Sequence, residues 1–303
     1  MLVIDVNGTT LLVSGRFVRL ARIYDEDWLE RNATGDPEKV VRNIANSGTG
    51  IDIFTFAQAL PETSPRYNYY MEWDNVAAVH IASFDDWWTK KLPQGTRQNV
   101  RRAERRGVVV RVCDLDDEFV RGIVKIYNET PIRQGRRFWH YGKAFDTVRK
   151  ENSTFLDRCA FLGAYYNDEL IGFLKVVFID RTAKIMQILS MVRHQDKRPT
   201  NALIAKTMEL CSSNNMEYFI YGKYVYGKRT RNSVIQFKER NGFEKFEIPR
   251  YYVPFSLKGK LFLKLGLHHG VIAMLPENVI ESLASIRAKW YEKTIKNSIA
   301  KSE

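Results

Sequence analysis

The stretch SVIQFKERNGFEKFEIPRYYVPF, residues 233–255, changes its period halfway, and that change constrains the fold more than any other feature of the chain. Val234, Ile235, Phe237 and Lys238 repeat at helical spacing, and Asn241-Gly242 supplies the left-handed residue that ends a short helix. Phe243 then returns the chain to a core, and the alternating residues up to Phe255 read as a strand. Pro249 and Pro254 carry no N–H, so this strand is expected at an edge or an end of its sheet.

A chain of 303 residues, 45% hydrophobic and 13% aromatic, has room for two ordinary domains with buried cores. The opening MLVIDVNGTT places Asp5 and an Asn7-Gly8 turn where a secretory signal needs unbroken apolar residues, so no signal peptide is expected. The most apolar window, IGFLKVVFI, contains Lys175 and falls short of the roughly 20 residues of a spanning helix. Cys113, Cys159 and Cys211 are odd in number and widely spaced, which suits reduced thiols in a cytosol. A cytoplasmic protein, soluble or peripheral to a membrane, is expected. The histidines 80, 140, 194, 268 and 269 never stand at i, i+4 beside a glutamate, so no metal is expected. A net charge of +12 calls for a phosphate-rich partner: nucleotide, coenzyme, RNA or anionic lipid.

Residues 1–82 read as a small α+β unit that opens on a hairpin with an Asn-Gly turn. Residues 83–107 read as connecting helices: Ser83 and Asp86 stand at capping-box spacing, and TRQNVRRAERRG is a basic helix closed by Gly107. From 108 to 258 the order is strand, helix, helix, hairpin, strand, helix, strand, helix, strand. A tail, 259–303, reads as helical with breaks at Gly270 and Pro276. Its KLFLKLGLHHGVIAML mixes lysine with leucine and phenylalanine, as an interfacial membrane contact requires.

That order, with YNDELIGFLKVVF as a hairpin and FKERNGFE near the end, resembles the GNAT acyltransferase superfamily over residues 108–256. With TRQNVRRAERRGV leading into it, the chain is similar to the Fem-type branch, which carries two GNAT-like units in tandem and takes its acyl group from aminoacyl-tRNA. The resemblance implies an α+β fold of α/β character, a GNAT-like mixed sheet flanked by helices, and an N-acyltransferase with acyl-CoA or aminoacyl-tRNA as donor. Acyl-CoA is the expected co-substrate on the superfamily's habit, with tRNA as the alternative partner and a small, anionic amine as acceptor. A third reading is a protein without catalysis that binds RNA through the basic helix 96–107 or lies on a membrane surface.

In GNAT enzymes a loop of pattern Gln/Arg-x-x-Gly-x-Gly/Ala holds the coenzyme pyrophosphate on backbone N–H groups. Here Gln195 takes the first position, but Arg198 and Thr200 stand in place of the glycines. Arg193, Gln195, Lys197, Arg198, Thr200 and Asn201 are therefore the expected donor-binding residues, holding phosphate by side chains. Lys238 replaces the tyrosine common before the last helix's glycine, and the pair Phe237-Lys238 matches the Fem-type branch. A lysine desolvated there stabilises negative charge as it develops. Gln187, on the strand expected to polarise the carbonyl, and Tyr221 complete the catalytic set. Glu129, Asp180 and Glu169 read as solvated or capping residues rather than as a base. RQGRRFWHYGK, residues 133–143, joins arginines to aromatic rings, so Arg136, Arg137, Trp139, His140 and Tyr141 are expected at the acceptor, with Lys223 of YGKYVYGK as a further wall.

Overall fold

A computed structural model describes residues 1–30, 36–133, 135–226 and 233–269. Asn7 and Gly8 both take positive φ, as a two-residue hairpin turn requires, and join β1 (Leu2–Val6) to β2 (Thr9–Ser14). The antiparallel meander continues into β3 (Leu20–Ile23). Helix α1 (Pro37–Asn46), capped by Asp36, crosses over, and β4 (Ile53–Ala57) returns parallel to β3. The long strand β5 (Tyr70–His80) closes this half.

Ser83 accepts from the Asp86 N–H as the spacing predicts, and a wider turn over Trp87–Lys91 follows. Then come α2 (Gln94–Arg105), β6 (Val109–Cys113), α3 (Asp117–Asn128), a hairpin of β7 (Ile132–Arg133) with β8 (Arg136–Arg137), and α4 (Phe145–Asn152). A second antiparallel meander, β9 (Cys159–Tyr166), β10 (Glu169–Ile179) and β11 (Thr182–Ser190), leads to crossover helix α5 (Pro199–Ser213). β12 (Tyr218–Ile220) returns parallel to β11. Helix α6 (Ser233–Arg240), β13 (Glu244–Pro254) and α7 (Leu257–Lys264) complete the described chain. Of the stretch 260–275 expected to contact a membrane, residues 260–269 are described, as the end of α7 and the turn after it; the rest, with the breaks expected at Gly270 and Pro276, lies outside the described residues. No described helix is long and apolar enough to cross a membrane.

The same plan is drawn twice: a three-stranded meander, a crossover helix, a parallel fourth strand. Both copies lie in one 11-stranded sheet of order β1-β2-β3-β4-β13-β5-β12-β11-β10-β9-β6. In its middle the halves exchange strands, for β13 lies beside β4 and β5 lies beside β12. β13 is thus not at an edge, contrary to what its prolines predict. The Pro249 carbonyl accepts from the Gln58 N–H at 2.9 Å, just past Ala57 where β4 ends, so the missing N–H falls on a side with no strand left to pair.

Two main cores sit on this sheet. The larger gathers Phe119, Tyr127, Phe173, Leu203 and Phe219, and the smaller packs Val40 and Ile44 of α1 on Leu11, Phe54 and Tyr251. Each such side chain contributes about 1.5–3 kcal/mol on burial. Gly242 closes α6 at φ +78°, and a Cβ there would come 3.0 Å from Nε1 of the buried Trp87, which donates to the Asn241 carbonyl at 3.2 Å. Gly242→Ala therefore carries the left-handed penalty of about 1–2 kcal/mol and a crowded indole besides. Its urea midpoint is expected to fall with an unchanged m-value; an unchanged midpoint would show that the turn relaxes freely.

Candidate functional site

β11 pairs with β12 only over Thr182–Lys184 and then runs on to Ser190 beside β10 alone. A register slip opposite Lys175 and Val176 leaves Met186 as an extra residue on β11, and such a bulge bends a strand and turns its backbone aside. The splayed strands open a cleft of about 1020 Å³, floored by Ile188, Leu189 and Ser190 and walled by Arg198–Asn201 and by Phe237, Arg240 and Asn241 of the α6 end. A second recess of about 610 Å³ is lined by Trp139, His140, Met186 and Gln187. Phe138, Ile188, Leu189 and Tyr221 border both, so the two spaces meet across the free end of β11. The N–H groups facing away from β10 there have no described strand to bind.

The loop from β11 to α5 shows where its charges go. Glu129, at the end of α3, accepts from the backbone N–H of Val192 at 2.6 Å and of Arg193 at 2.9 Å, and it pairs with Arg133 at 3.3 Å. Arg133 in turn donates to the Ser190 carbonyl at 2.9 Å, fixing the end of β11. Arg193 pairs with Glu169, and Lys197 with Asp196 at 3.5 Å, its ammonium 4.7 Å from the Tyr166 ring centre. Arg198 holds the left-handed backbone that a glycine would take, φ 58°, and Pro199 opens α5 without an N–H to offer. Thr200 bonds Ser190 at 3.1 Å and Asn201 bonds Asn241 at 3.2 Å, stitching the loop to β11 and α6. Gln195 and Arg198 face the cleft; Lys197 is not among its lining residues. Arg198 and Arg240 have no acidic partner among the described residues. Outside the mouth, where Thr96 and Asn99 of α2 join the wall, Arg101, Arg102 and Arg105 are exposed.

Lys238 is fully buried. Its ammonium donates to the Lys223 carbonyl and lies 4.9 Å from the ring centre of Tyr221 and 5.0 Å from that of Tyr226. Burial without a carboxylate among the described residues lowers its pKa from 10.5 to about 8. It lines neither cleft; Tyr221 stands between, its phenol pushed up to about 12 by burial. Gly222, at φ +58°, makes the close turn after β12, while Gly227 and Lys228 lie outside the described residues. The Lys223 side chain turns away to Asp74 at 2.9 Å.

On the opposite face Gln187 meets the Tyr127 hydroxyl at 2.6 Å and His140 Nε2 at 3.2 Å. His140 is buried between Trp139 and Tyr127, with ring centres 3.9 and 4.1 Å away, and burial, with Lys143 and Arg133 nearby, lowers its pKa to about 4. It is a neutral imidazole at physiological pH. Trp139 covers the recess from outside with Lys143 3.6 Å from its ring centre. Arg136 and Arg137, on the small hairpin, and Tyr141 are exposed and line neither space. The expected set thus divides: Gln187, Tyr221, Trp139 and His140 come together, while Arg136, Arg137, Tyr141 and Lys223 stay outside. Sequence reasoning missed Arg240 and Asn241 as lining residues, and it read Glu129 as a cap without its target.

No family profile and no curated protein sequence matches the chain. Among solved structures, FemX aligns over 86% of this chain and 88% of its own at a TM-score of 0.54 and 11% identity. The C-terminal domain of a protein described as a lysylphosphatidylglycerol synthetase from Agrobacterium fabrum aligns over 86% of both chains, at TM-score 0.58 and 14% identity. L-PGS from Bacillus licheniformis aligns over 89% and 87%, at 0.55 and 13%. With the doubled plan of meander, crossover helix and parallel strand, these likenesses give the chain the fold of tandem GNAT proteins in its Fem-like form.

Proposed function

We infer that this protein is an acyl-group transferase whose donor is an aminoacyl ester on tRNA rather than acyl-CoA, with an amine as acceptor. The choice of donor rests on the loop of the GNAT pyrophosphate pattern: Arg198 and Thr200 stand in place of its glycines, and just ahead of its first position, Gln195, the Glu129 carboxylate takes the N–H groups of Val192 and Arg193. The proline at 199 removes a donor from the pattern itself, and Arg193 and Lys197 are already paired. Cations with no acidic partner among the described residues stand elsewhere, at Arg198 and Arg240 in the cleft, and exposed arginines run along α2. That spread suits a long polyanion with an ester at its end. The Fem-like fold points the same way.

The chemistry is placed in the second unit, residues 108–258, with α2 as part of the donor surface. The acceptor amine approaches from the recess at Trp139 and His140, and its lone pair attacks the ester carbonyl held at the free end of β11. Outward N–H groups of β11 receive the oxyanion. The C–O bond to the ribose oxygen then breaks, and the proton lost by the amine ends on that oxygen. Lys238 is assigned as a fixed positive charge behind Tyr221, favouring the negative charge that builds in the transition state. Arg198, Gln195 and Asn201 line the donor's path.

Two measurements bear on this. Labelled aminoacyl-tRNA is expected to pass its amino acid to a primary amine, while acetyl-CoA or coenzyme A leaves the melting temperature unchanged. A ligand at about 100 times its dissociation constant adds about 2.7 kcal/mol, so a rise with coenzyme A would reverse the choice of donor. For Lys238, turnover should fall as pH rises through about 8, where the ammonium is lost. The folded pKa lies below the ordinary value, so this group's cost to stability is full below about 8 and fades towards 10.5; the fall in turnover is therefore not unfolding. Lys238→Met, which keeps the volume, should lose at least about tenfold in turnover and the alkaline limb with it. A variant as active as the parent would leave Lys238 a packing residue.

A further inference from the structure

His268 and His269, in the turn after α7, converge on Glu72 of β5, 196 residues earlier. His268 Nε2 lies 2.9 Å and His269 Nε2 3.2 Å from the same oxygen, Glu72 Oε1, and the Tyr70 hydroxyl donates to it as well at 2.9 Å. Two imidazole nitrogens and a hydroxyl thus crowd one carboxylate oxygen, which has two lone pairs. Meanwhile the His268 ring is buried, 1% exposed, and its Nδ1 has no partner among the described residues. Hydrogen bonding alone is a poor reason to bury this imidazole. The edges of Tyr252 and Tyr70 hold the ring in place, with centres 4.7 and 6.4 Å away.

We propose that Glu72, His268 and His269 form a binding site for a divalent transition-metal ion of the zinc class, with water completing the coordination. One ligand atom from each residue lies within 4.8 Å of the others. Four ligands at 2.0–2.1 Å around a tetrahedral ion stand about 3.3 Å apart, so the two observed contacts need to open by only a few tenths of an ångström. Two imidazoles and one carboxylate select zinc, cobalt or nickel over magnesium or calcium. The Tyr70 hydroxyl fixes the carboxylate through the same oxygen, and the His269 side chain, 50% exposed, leaves a way in from solvent. None of the three residues lines either cleft, so the ion is not part of the acyl-transfer chemistry. It would fasten the turn at 267–269, from which the chain runs on to residues 270–303, to the middle of the sheet.

The test uses the full, untagged chain, stripped with a chelator and titrated with zinc chloride by calorimetry, with cobalt(II) absorption as a readout of tetrahedral geometry. One ion per chain is expected. His269→Ala and Glu72→Gln, each checked by circular dichroism for an unchanged fold, should weaken binding at least about tenfold. Absence of binding at tenfold excess of zinc, or equal affinity in both variants, would overturn the site. His269 is half exposed, so its removal tests the ligand set without opening the core.

Discussion

The ladder between β5 and β13 is the joint on which the molecule turns. It runs from Glu244 opposite Ala78 to Tyr252 opposite Tyr70, and it couples the last described strand to the last strand of the first half. Since α6 precedes β13 directly, the ladder also sets where Phe237, Arg240 and Asn241 meet the cleft. Its charged anchor is Arg250, held by Asp74 at 3.0 Å and Glu26 at 3.4 Å. Burial alone would push this guanidinium down, and the two carboxylates more than offset it. Asp74 also takes the Lys223 side chain, whose own carbonyl takes the Lys238 ammonium. A short chain of polar contacts thus runs from the middle of the sheet to the wall of the site.

What the sequence discloses here follows the range of the forces involved. The change of period at Asn241-Gly242, the turn at Asn7-Gly8 and the cap at Ser83 are local, and each appears where the residues put it. The place of β13 is not local, because it depends on β4 and β5 nearly two hundred residues away, and proline rules then point to the wrong side of the sheet. The same limit applies to Glu129. That it caps something is readable from its place at the end of α3; that it caps the N–H groups of Val192 and Arg193 is a contact 63 and 64 residues away. Arg136 and Arg137 show a further limit. Mixed arginine and aromatic residues mark a segment able to bind anions, but the small hairpin that carries Arg136 and Arg137 leaves both exposed and away from the two spaces, a placement composition does not disclose.

Two other lysines are withdrawn from solvent besides Lys238, Lys175 fully and Lys184 in part, and their partners differ from those of Lys238. An ammonium has three N–H donors and nowhere to hide an unused one. Lys175 fills all of them, on the Asn152 carbonyl at 2.8 Å, the Thr154 carbonyl at 2.5 Å and the Thr154 hydroxyl at 3.0 Å, so it ties the end of α4 to β10 and has nothing left to give. Lys184 meets the Asp27 carbonyl at 2.7 Å; burial lowers its pKa, and the nearby Asp27 and Glu26 offset this only in part. Lys238 has a single carbonyl and two aromatic faces among the described residues. Aromatic faces attract a cation without consuming its donors in directed bonds, so they hold the charge while leaving it free to respond. A residue whose only purpose was to fix the fold would be better placed as Lys175 is. Among the described residues the shell around Lys238, one carbonyl and two aromatic faces behind Tyr221, fits the charge-stabilising role proposed above.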